Sequence, residues 1–295
     1  MEEAFKMVGV GEILWDIMPD GKKLGGAPAN FAYVAGQLGN RGLVLSRVGN
    51  DPEGAEIIGQ LNDKGVVSDL IQIDPEHPTG RVRVEFVEGQ PHYEIVEDVA
   101  WDHLDFSEPW KMVARSADAI CFGTLAQRSG KSRETVGKLI GSAGEKTRVI
   151  FDVNLRRDFF SPEILDRSMR AADVLKVNHE EFPKIGLMFG FDPEDRVGCA
   201  RNLMEKFKLR LVCITCGNEG GLLISGRRIS RSAGRPIRVG DPVGAGDAFT
   251  AGLVHGILRG WDLQKTNDFA NRTGAFLASK KGAMPDFSDF GEIPG

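Results

Sequence analysis

Apolar, β-branched runs alternate with helical patterns along most of this 295-residue chain, and nothing else in it narrows the fold so far. Met7–Trp15, Gly42–Val48, Ala119–Gly123, Arg148–Val153, Asp173–Val177 and Leu209–Thr215 read as strands. Ala27–Leu38, Glu53–Lys64, Ser132–Gly141, Pro162–Ala171, Pro193–Lys206 and Ala248–Arg259 read as helices between or after them. Such alternation predicts an α/β fold with a mostly parallel sheet covered on both faces. Ligands in folds of this kind sit beyond the C-terminal ends of the strands. The residues that follow each strand are therefore the ones to inspect.

One region breaks the alternation. Thr79–Val87 and His92–Glu97 switch between polar and apolar residues, and Glu88-Gly89-Gln90-Pro91 between them is a turn signal. This predicts a hairpin with one wetted face, which Asp16–Leu24 joins. A β-flap of this kind can close over a site as a lid, or pair with another copy of the chain through its exposed edge. The plainer alternative is a surface hairpin with no such role. There is no internal repeat and no low-complexity linker, so the chain is expected to be a single domain over 1–295 with the small β-lid, about 16–24 and 79–99, inserted in it.

Hydrophobic residues are 41% and charged residues 27%, the balance of an ordinary globular protein, and the net charge of −5 argues against binding driven mainly by attraction to nucleic acid or a membrane surface. The opening MEEAFKMVGV lacks the basic start and apolar core of a signal peptide, and no apolar run reaches membrane-spanning length. Of the four cysteines, Cys213 and Cys216 have redox-motif spacing, but Cys213 lies in the apolar run LVCIT and reads better as a buried strand thiol. Cys121 and Cys199 complete no ligand cluster. The expectation is a cytoplasmic protein without structural zinc.

Gly240–Gly252, GDPVGAGDAFTAG, is the stretch with the most chemistry in it. Gly244-Ala245-Gly246 feeds a helix predicted to begin near Gly246. A glycine-rich turn at a helix N-terminus leaves backbone N–H groups unpaired and aimed at one spot, where the peptide dipoles add partial positive charge. Asp247 in that first turn is placed to take a proton from a hydroxyl while the N–H groups steady an anion. A stabilising acidic helix start is an equally good reading of the stretch alone.

Other strand ends carry similar groups. Asp16 ends one strand, and Gly25-Gly26-Ala27-Pro28-Ala29-Asn30 opens the next helix, with Asp16 and Asn30 able to bond sugar hydroxyls. Arg156 closes FDVNLR and could clamp a phosphate, though a surface arginine is the commoner case. Asn178 and Glu181 share one side of a first helical turn, suited to a hydrated Mg2+ or to a capping box, or to both. Thr215-Cys216-Gly217-Asn218-Glu219-Gly220 supplies a further glycine turn. A parallel sheet gathers these ends along one edge. Two decoys fail: Gly130-Lys131-Ser132 lacks the P-loop glycine, which is Leu125 here, and Gly9-x-Gly11 lacks the third glycine of a dinucleotide fingerprint, which is Leu14.

On these residues the chain resembles the ribokinase-like (PfkB) carbohydrate kinases over nearly its full length. GGAPANFAYVAGQLG at 25–39 is similar to that family's N-terminal signature, DPVGAGDAFTAGL at 241–253 to its highly specific C-terminal one, and LKVNHEE at 175–181 to its Asn-x-x-Glu motif. GEILWD, GGAPANFAY, VAWD at 99–102 and FGTLAQR at 122–128 look most like bacterial fructokinases. The resemblance implies a three-layer α/β/α body with a β-lid. It implies Asp247 as catalytic base and Gly244, Ala245 and Gly246 as the anion hole for the γ-phosphate. Asp16, Gly26 and Asn30 match sugar-binding positions, and Arg156 a sugar or phosphate contact. Asn178 and Glu181 match the Mg2+/phosphate motif, Thr215, Gly217 and Gly220 the nucleotide loop, and Asn271 an adenosine contact. Asp241, Val243, Lys280 and Gly282 fall where the family often binds a monovalent cation such as K+. The family usually has Thr after the Asp at 241; Pro242 removes a hydroxyl and a backbone N–H there.

The expected reaction is transfer of the γ-phosphate of MgATP to a sugar hydroxyl, fructose giving fructose 6-phosphate, in a homodimer joined through the β-lid. Ribose, 2-keto-3-deoxygluconate or a nucleoside is an alternative acceptor, with Phe31 or Tyr93 available to stack on a base. A non-catalytic sugar- or nucleotide-binding regulator is the alternative from another class, and the intact Gly244, Gly246, Asp247, Asn178 and Glu181 speak against it.

Overall fold

The computed structural model describes residues 4–18, 21–87, 90–237 and 240–294, with 84–87 and 90–93 described as backbone. β1 (Lys6–Val10) starts the main sheet, β2 (Leu14–Met18) and β3 (Gly21–Gly25) start a smaller one, and α1 (Ala27–Gln37) returns to the body. β4 (Arg41–Leu45), β5 (Arg47–Gly49), α2 (Pro52–Asp63) and β6 (Gln72–Asp74) precede the hairpin of β7 (Gly80–Val87) and β8 (Gln90–Ile95). Then come α3 (Glu108–Ser116), β9 (Ala119–Phe122), α4 (Gly130–Ile140), β10 (Arg148–Asp152), α5 (Pro162–Ala171), β11 (Val174–Asn178), α6 (Glu181–Met188) and α7 (Arg196–Phe207). The chain closes with β12 (Leu211–Thr215), β13 (Gly220–Ser225), β14 (Arg228–Ala233), α8 (Ala245–Leu258) and α9 (Leu263–Ala278).

The main sheet has eight strands in the order β14-β13-β12-β11-β10-β9-β1-β4, parallel from β4 to β12, with β13 and β14 antiparallel at one edge. Its strands alternate faces residue by residue, as the pleat requires. Ile120, Phe151, Leu175 and Val212 enter one apolar core with α3, α4, α5 and α7; Ala119, Ile150, Val174 and Leu211 enter the other with α1, α2, α8 and α9. This is the expected three-layer α/β/α body. The pleat also fixes where polar residues go. Asp152 and Lys176 are two residues beyond Ile150 and Val174, so they share the α8 face, and they are direct neighbours in the β10–β11 register.

Two predicted strands are each broken in two. Met7–Trp15 bends at Gly11, which is buried at φ 141° and donates its N–H to Leu45 O, so Leu14 onward passes to the smaller sheet. Gly42–Val48 divides at Ser46, whose hydroxyl bonds Gly11 O at 2.6 Å, and β5 pairs instead with β6. The smaller sheet runs β3-β2-β7-β8, with β2 parallel to β7 and the other pairs antiparallel. The segment from Asp16 thus joins the hairpin as expected; Pro19 and Asp20 in it, and the turn residues Glu88 and Gly89, lie outside the described residues. No helix among the described residues is long and apolar enough to cross a membrane.

Candidate active site

The helix predicted from Gly246 begins one residue earlier, at Ala245, with Gly244 as its N-cap. Gly244 sits at φ 80°, and a Cβ there would come within 2.8 Å of Ala283 Cβ, so only glycine fits both the backbone and the space. The turn bonds Ala245 N–H to Pro242 O and Ala248 N–H to Gly244 O. The N–H groups of Gly246 and Asp247 between them have no acceptor among the described residues. They form the unpaired donor pair that the start of α8 presents to a ligand.

Asp247 lies beside them in the first turn of α8. Its Oδ2 accepts a hydrogen bond from Asn30 Nδ2 at 2.7 Å, from the first turn of α1. Burial pushes its carboxyl up to about 6; the Asp152 carboxylate pushes the same way, while Asn30, Lys176 and Arg156 pull it back. Asn30 Oδ1 is buried with no partner among the described residues, an acceptor left open beside the carboxylate. α1 can start here because Gly26 adopts φ 116°, where a Cβ would stand 2.6 Å from Glu12 O.

Beneath this pair lies a buried charge network that the motif reading missed. Lys176 Nζ pairs with Asp152 Oδ1 at 2.9 Å, and Thr250 donates its hydroxyl to Asp152 Oδ2 at 2.7 Å. Burial works to discharge Lys176, but Asp152 and Glu181 outweigh it and hold the ammonium charged. Lys176 Nζ is 3.2 Å from where a Gly246 Cβ would be, beside the start of α8. Glu12, 4% exposed at the end of β1, is also in the network: burial raises its carboxyl to about 7, against backbone hydrogen bonds from Glu12 and Ala27. The one available signal was the strand period, which places Asp152 and Lys176 on the α8 face once that face is known.

Asp16 on β2 is partly exposed and is raised to about 6, chiefly by burial, with Arg156 and Lys23 opposing. Arg156, exposed after β10, donates to Leu155 O, and its charge favours the ionised forms of Glu12, Asp16 and Asp247 together. The structure therefore brings Asp16, Asn30, Arg156, Asp247 and the glycine turn to one place. A small cavity there runs from Ala27 and Phe31 to Gly123 and Asp247. Phe31 lines it but is otherwise core, and the Tyr93 side chain lies outside the described residues.

Asn178 and Glu181 form the predicted reciprocal cap. Asn178 Oδ1 accepts the N–H of Glu180 and Glu181, and Glu181 Oε2 accepts the N–H of Asn178. Glu181 Oε1 accepts the Leu155 N–H, which holds this nearly buried carboxylate at the end of β11. Thr215 ends the neighbouring β12, and the turn after it contains Gly217 at φ 55° and Gly220 at φ 99°. Asn271 on α9 faces this hairpin, but Nδ2 gives both its hydrogens to Asn267 O and Oδ1, so Oδ1 is the atom it can offer a ligand. Asp241 accepts the N–H of Val243 and of Gly282, and Lys23 Nζ lies 3.5 Å from it. The Lys280 side chain pairs with Asp289, leaving its carbonyl near the turn, 2.7 Å from where a Gly240 Cβ would be. Cys121, Cys199, Cys213 and Cys216 are free thiols, with Cys213 buried in β12 as expected.

Residues 19–289 match the family described as pfkB family carbohydrate kinase. A sugar kinase of Pyrococcus horikoshii is 31% identical, over 96% of this chain and 93% of its own. Its crystal structure in complex with ATP superposes with a TM-score of 0.81, at 30% identity over 94% of each chain. A fructokinase of Escherichia coli is 30% identical over 93% of this chain and 94% of its own. The crystal structure of a fructokinase double mutant from Vibrio cholerae O395, in a fructose-, ADP- and potassium-bound form, has a TM-score of 0.78 at 25% identity over 96% of each chain.

Proposed function

Because this chain belongs to the pfkB family of carbohydrate kinases, we propose that it transfers the γ-phosphate of MgATP to a hydroxyl of fructose, giving fructose 6-phosphate and ADP. The observation that carries the reading is the pairing of one partly buried carboxylate, raised to about 6, with two unpaired N–H groups at the start of the same helix. A base whose affinity for protons lies just below neutrality is ionised at pH 7 and still accepts a proton.

In this reading Asp247 takes the proton of the sugar hydroxyl as its oxygen attacks the γ-phosphorus and the bond to ADP breaks. The unpaired N–H groups of Gly246 and Asp247, rather than that of Ala245, which Pro242 O already engages, stabilise with the helix dipole the charge on the transferring phosphoryl group. Lys176 supplies a fixed positive charge from beneath without touching the substrate. Asp16 and Asn30 hold the acceptor, the open Asn30 Oδ1 taking a sugar hydroxyl, and Arg156 bridges sugar and phosphate. The nucleotide lies over Thr215, Gly217 and Gly220, with Asn271 Oδ1 toward the base. Glu181, whose carboxylate is held by the N–H groups of Leu155 and Asn178, would with Asn178 hold the hydrated Mg2+ of the nucleotide through its waters. ATP as donor is supported by the ATP-bound relative, and fructose by the fructokinases among the relatives.

A potassium ion would be held in the turn of Asp241, Val243, Lys280 and Gly282 by oxygens such as the Asp241 carboxylate and the Lys280 carbonyl. When bound it would offset the Asp241 charge and stiffen the turn before α8. The whole chain is one kinase unit in which the four-stranded sheet is the lid, excluding water from the transfer, and a cytoplasmic homodimer forms through its edges.

The test is ADP release with MgATP across fructose, ribose, 2-keto-3-deoxygluconate, glucose and adenosine, with and without K+. Strong turnover on fructose alone is expected. Turnover on another acceptor keeps the chemistry and discards the fructose assignment; turnover on none of them discards the reading.

A further inference from the structure

We propose that His77, Asp98 and His103 form a binding site for a divalent transition-metal ion of the Zn2+ class, at the root of the small sheet, where the ion clasps the two feet of the β7–β8 hairpin. Donor atoms of the three side chains lie within 4.8 Å of one another. His103 Nε2 is 2.9 Å from Asp98 Oδ1, and His77 Nε2 is 3.8 Å from the same oxygen. Two imidazole nitrogens and a carboxylate are a donor set for Zn2+ or its borderline neighbours; Mg2+ and Ca2+ prefer all-oxygen sites.

The outer partners favour the same use. His77 Nδ1 lies 3.1 Å from Asp74 Oδ2, and a carboxylate can only accept, so Nδ1 carries the proton and Nε2 presents its lone pair on the Asp98 side. A carboxylate behind a histidine in this way orients it and raises its basicity toward a metal. Asp74 is itself fixed, 1% exposed, by the N–H groups of Glu76 and His77 and by Arg47 Nε at 2.8 Å. Arg47 also donates to His103 O, so one guanidinium ties both histidine segments together. For His103 Nε2 to ligate the ion, the single N–H of the neutral ring moves to Nδ1, and Nε2 then offers its lone pair.

The two imidazole rings stack at 3.5 Å with their planes 14° apart. Near-parallel lone pairs do not converge on one ion, so coordination requires the rings to swing apart. Both histidine side chains are 24% exposed and Asp98 80%, which gives them room and leaves positions for water. His77 stands just before β7 and Asp98 just after β8; the backbone bonds Ala100 N–H to Pro78 O and Val96 N–H to Arg81 O already link these feet. An ion here would stiffen the base of the hairpin. The sequence gives no ligand spacing for this site, because its three residues come from separate turns that only the fold brings together.

The test uses tag-free, EDTA-stripped protein, titrated with Zn2+ by calorimetry, with Co2+ absorption reporting the geometry. The wild type is expected to bind one Zn2+ per chain with a rise in Tm. His77→Gln and His103→Gln should each weaken binding at least about tenfold, with Tm in EDTA unchanged. Asp98→Asn, at an exposed position, provides a readout that does not depend on the histidine variants folding. Cys216→Ser, which alters a half-exposed thiol, should leave binding intact. The proposal is overturned if the stripped wild type binds no Zn2+, if the histidine and Asp98 variants bind as the wild type does, or if Cys216→Ser abolishes binding.

Discussion

Asn30 Nδ2 donates to Asp247 Oδ2 at 2.7 Å, joining the first turns of two helices 217 residues apart in sequence. The bond favours the ionised carboxylate, against the burial that raises it to about 6. A base that must be ionised loses activity as pH falls, so kcat/KM should drop tenfold per pH unit below about 6. Asn30→Ala removes a donor to the charged form and should move that acid limb to higher pH, besides raising KM for the sugar. A pH–rate profile of both proteins checks this; an unmoved limb in the variant would mean that another group sets it.

Glu12 makes a separate prediction for stability. Its folded-state value of about 7 lies above the ordinary 4.5, so the folded protein binds its proton more tightly than the unfolded chain does. That contribution is full below about 4.5 and is lost as pH rises through about 7. Glu12→Gln cannot ionise and should therefore gain on the wild type between pH 5 and pH 8, by up to about 3 kcal/mol. Thermal unfolding at the two pH values measures the difference; a constant offset would contradict it.

The Asp152–Lys176 pair is buried on both sides, so breaking it from one side leaves a charge without its counterion. Lys176→Met should cost about 3–5 kcal/mol of stability. The double variant with Asp152→Asn should recover much of this, because the carboxylate that directly paired with the lost ammonium is neutral as well. Denaturant melts of the single and double variants decide it: equal losses in both would show that packing, not charge, dominates.

The small sheet ends in two edge strands, β3 and β8, each with one side unpaired within it. Open edges are pairing surfaces, and the proposed dimer would form there. Light scattering at micromolar concentration should give twice the monomer mass, falling to the monomer when a proline is introduced at Lys22 in β3. A monomeric wild type would remove the dimer from the account.

Much of the body was legible because its strands and helices carry strong apolar periods; α5, Pro162–Ala171, matches its expected bounds at both ends. α9 was not legible: LQKTNDFANRTGAFLA is rich in polar residues, several of which, such as Asn267 and Thr273, are buried through hydrogen bonds rather than by apolar character. The breaks at Gly11 and Ser46 were invisible for a related reason, since a local apolar run does not say which of two sheets will take each half. In the site, Asp16, Asn30, Arg156 and Asp247 could be found from strand ends and motifs. Asp152 and Lys176 could not, because a charged residue inside an apolar strand looks like noise until its partner on the neighbouring strand is known, and Glu12 could not, because its burial between β1 and β2 follows from the break after Val10.

Asp247→Asn tests the central claim most directly. The amide keeps the shape of the side chain and loses the base. Steady-state kinetics with MgATP and fructose should show kcat reduced by about 10²–10⁴-fold, with ATP affinity by calorimetry little changed. A variant that turns over at near the wild-type rate would contradict the assignment of Asp247 as the base that takes the proton from the sugar hydroxyl.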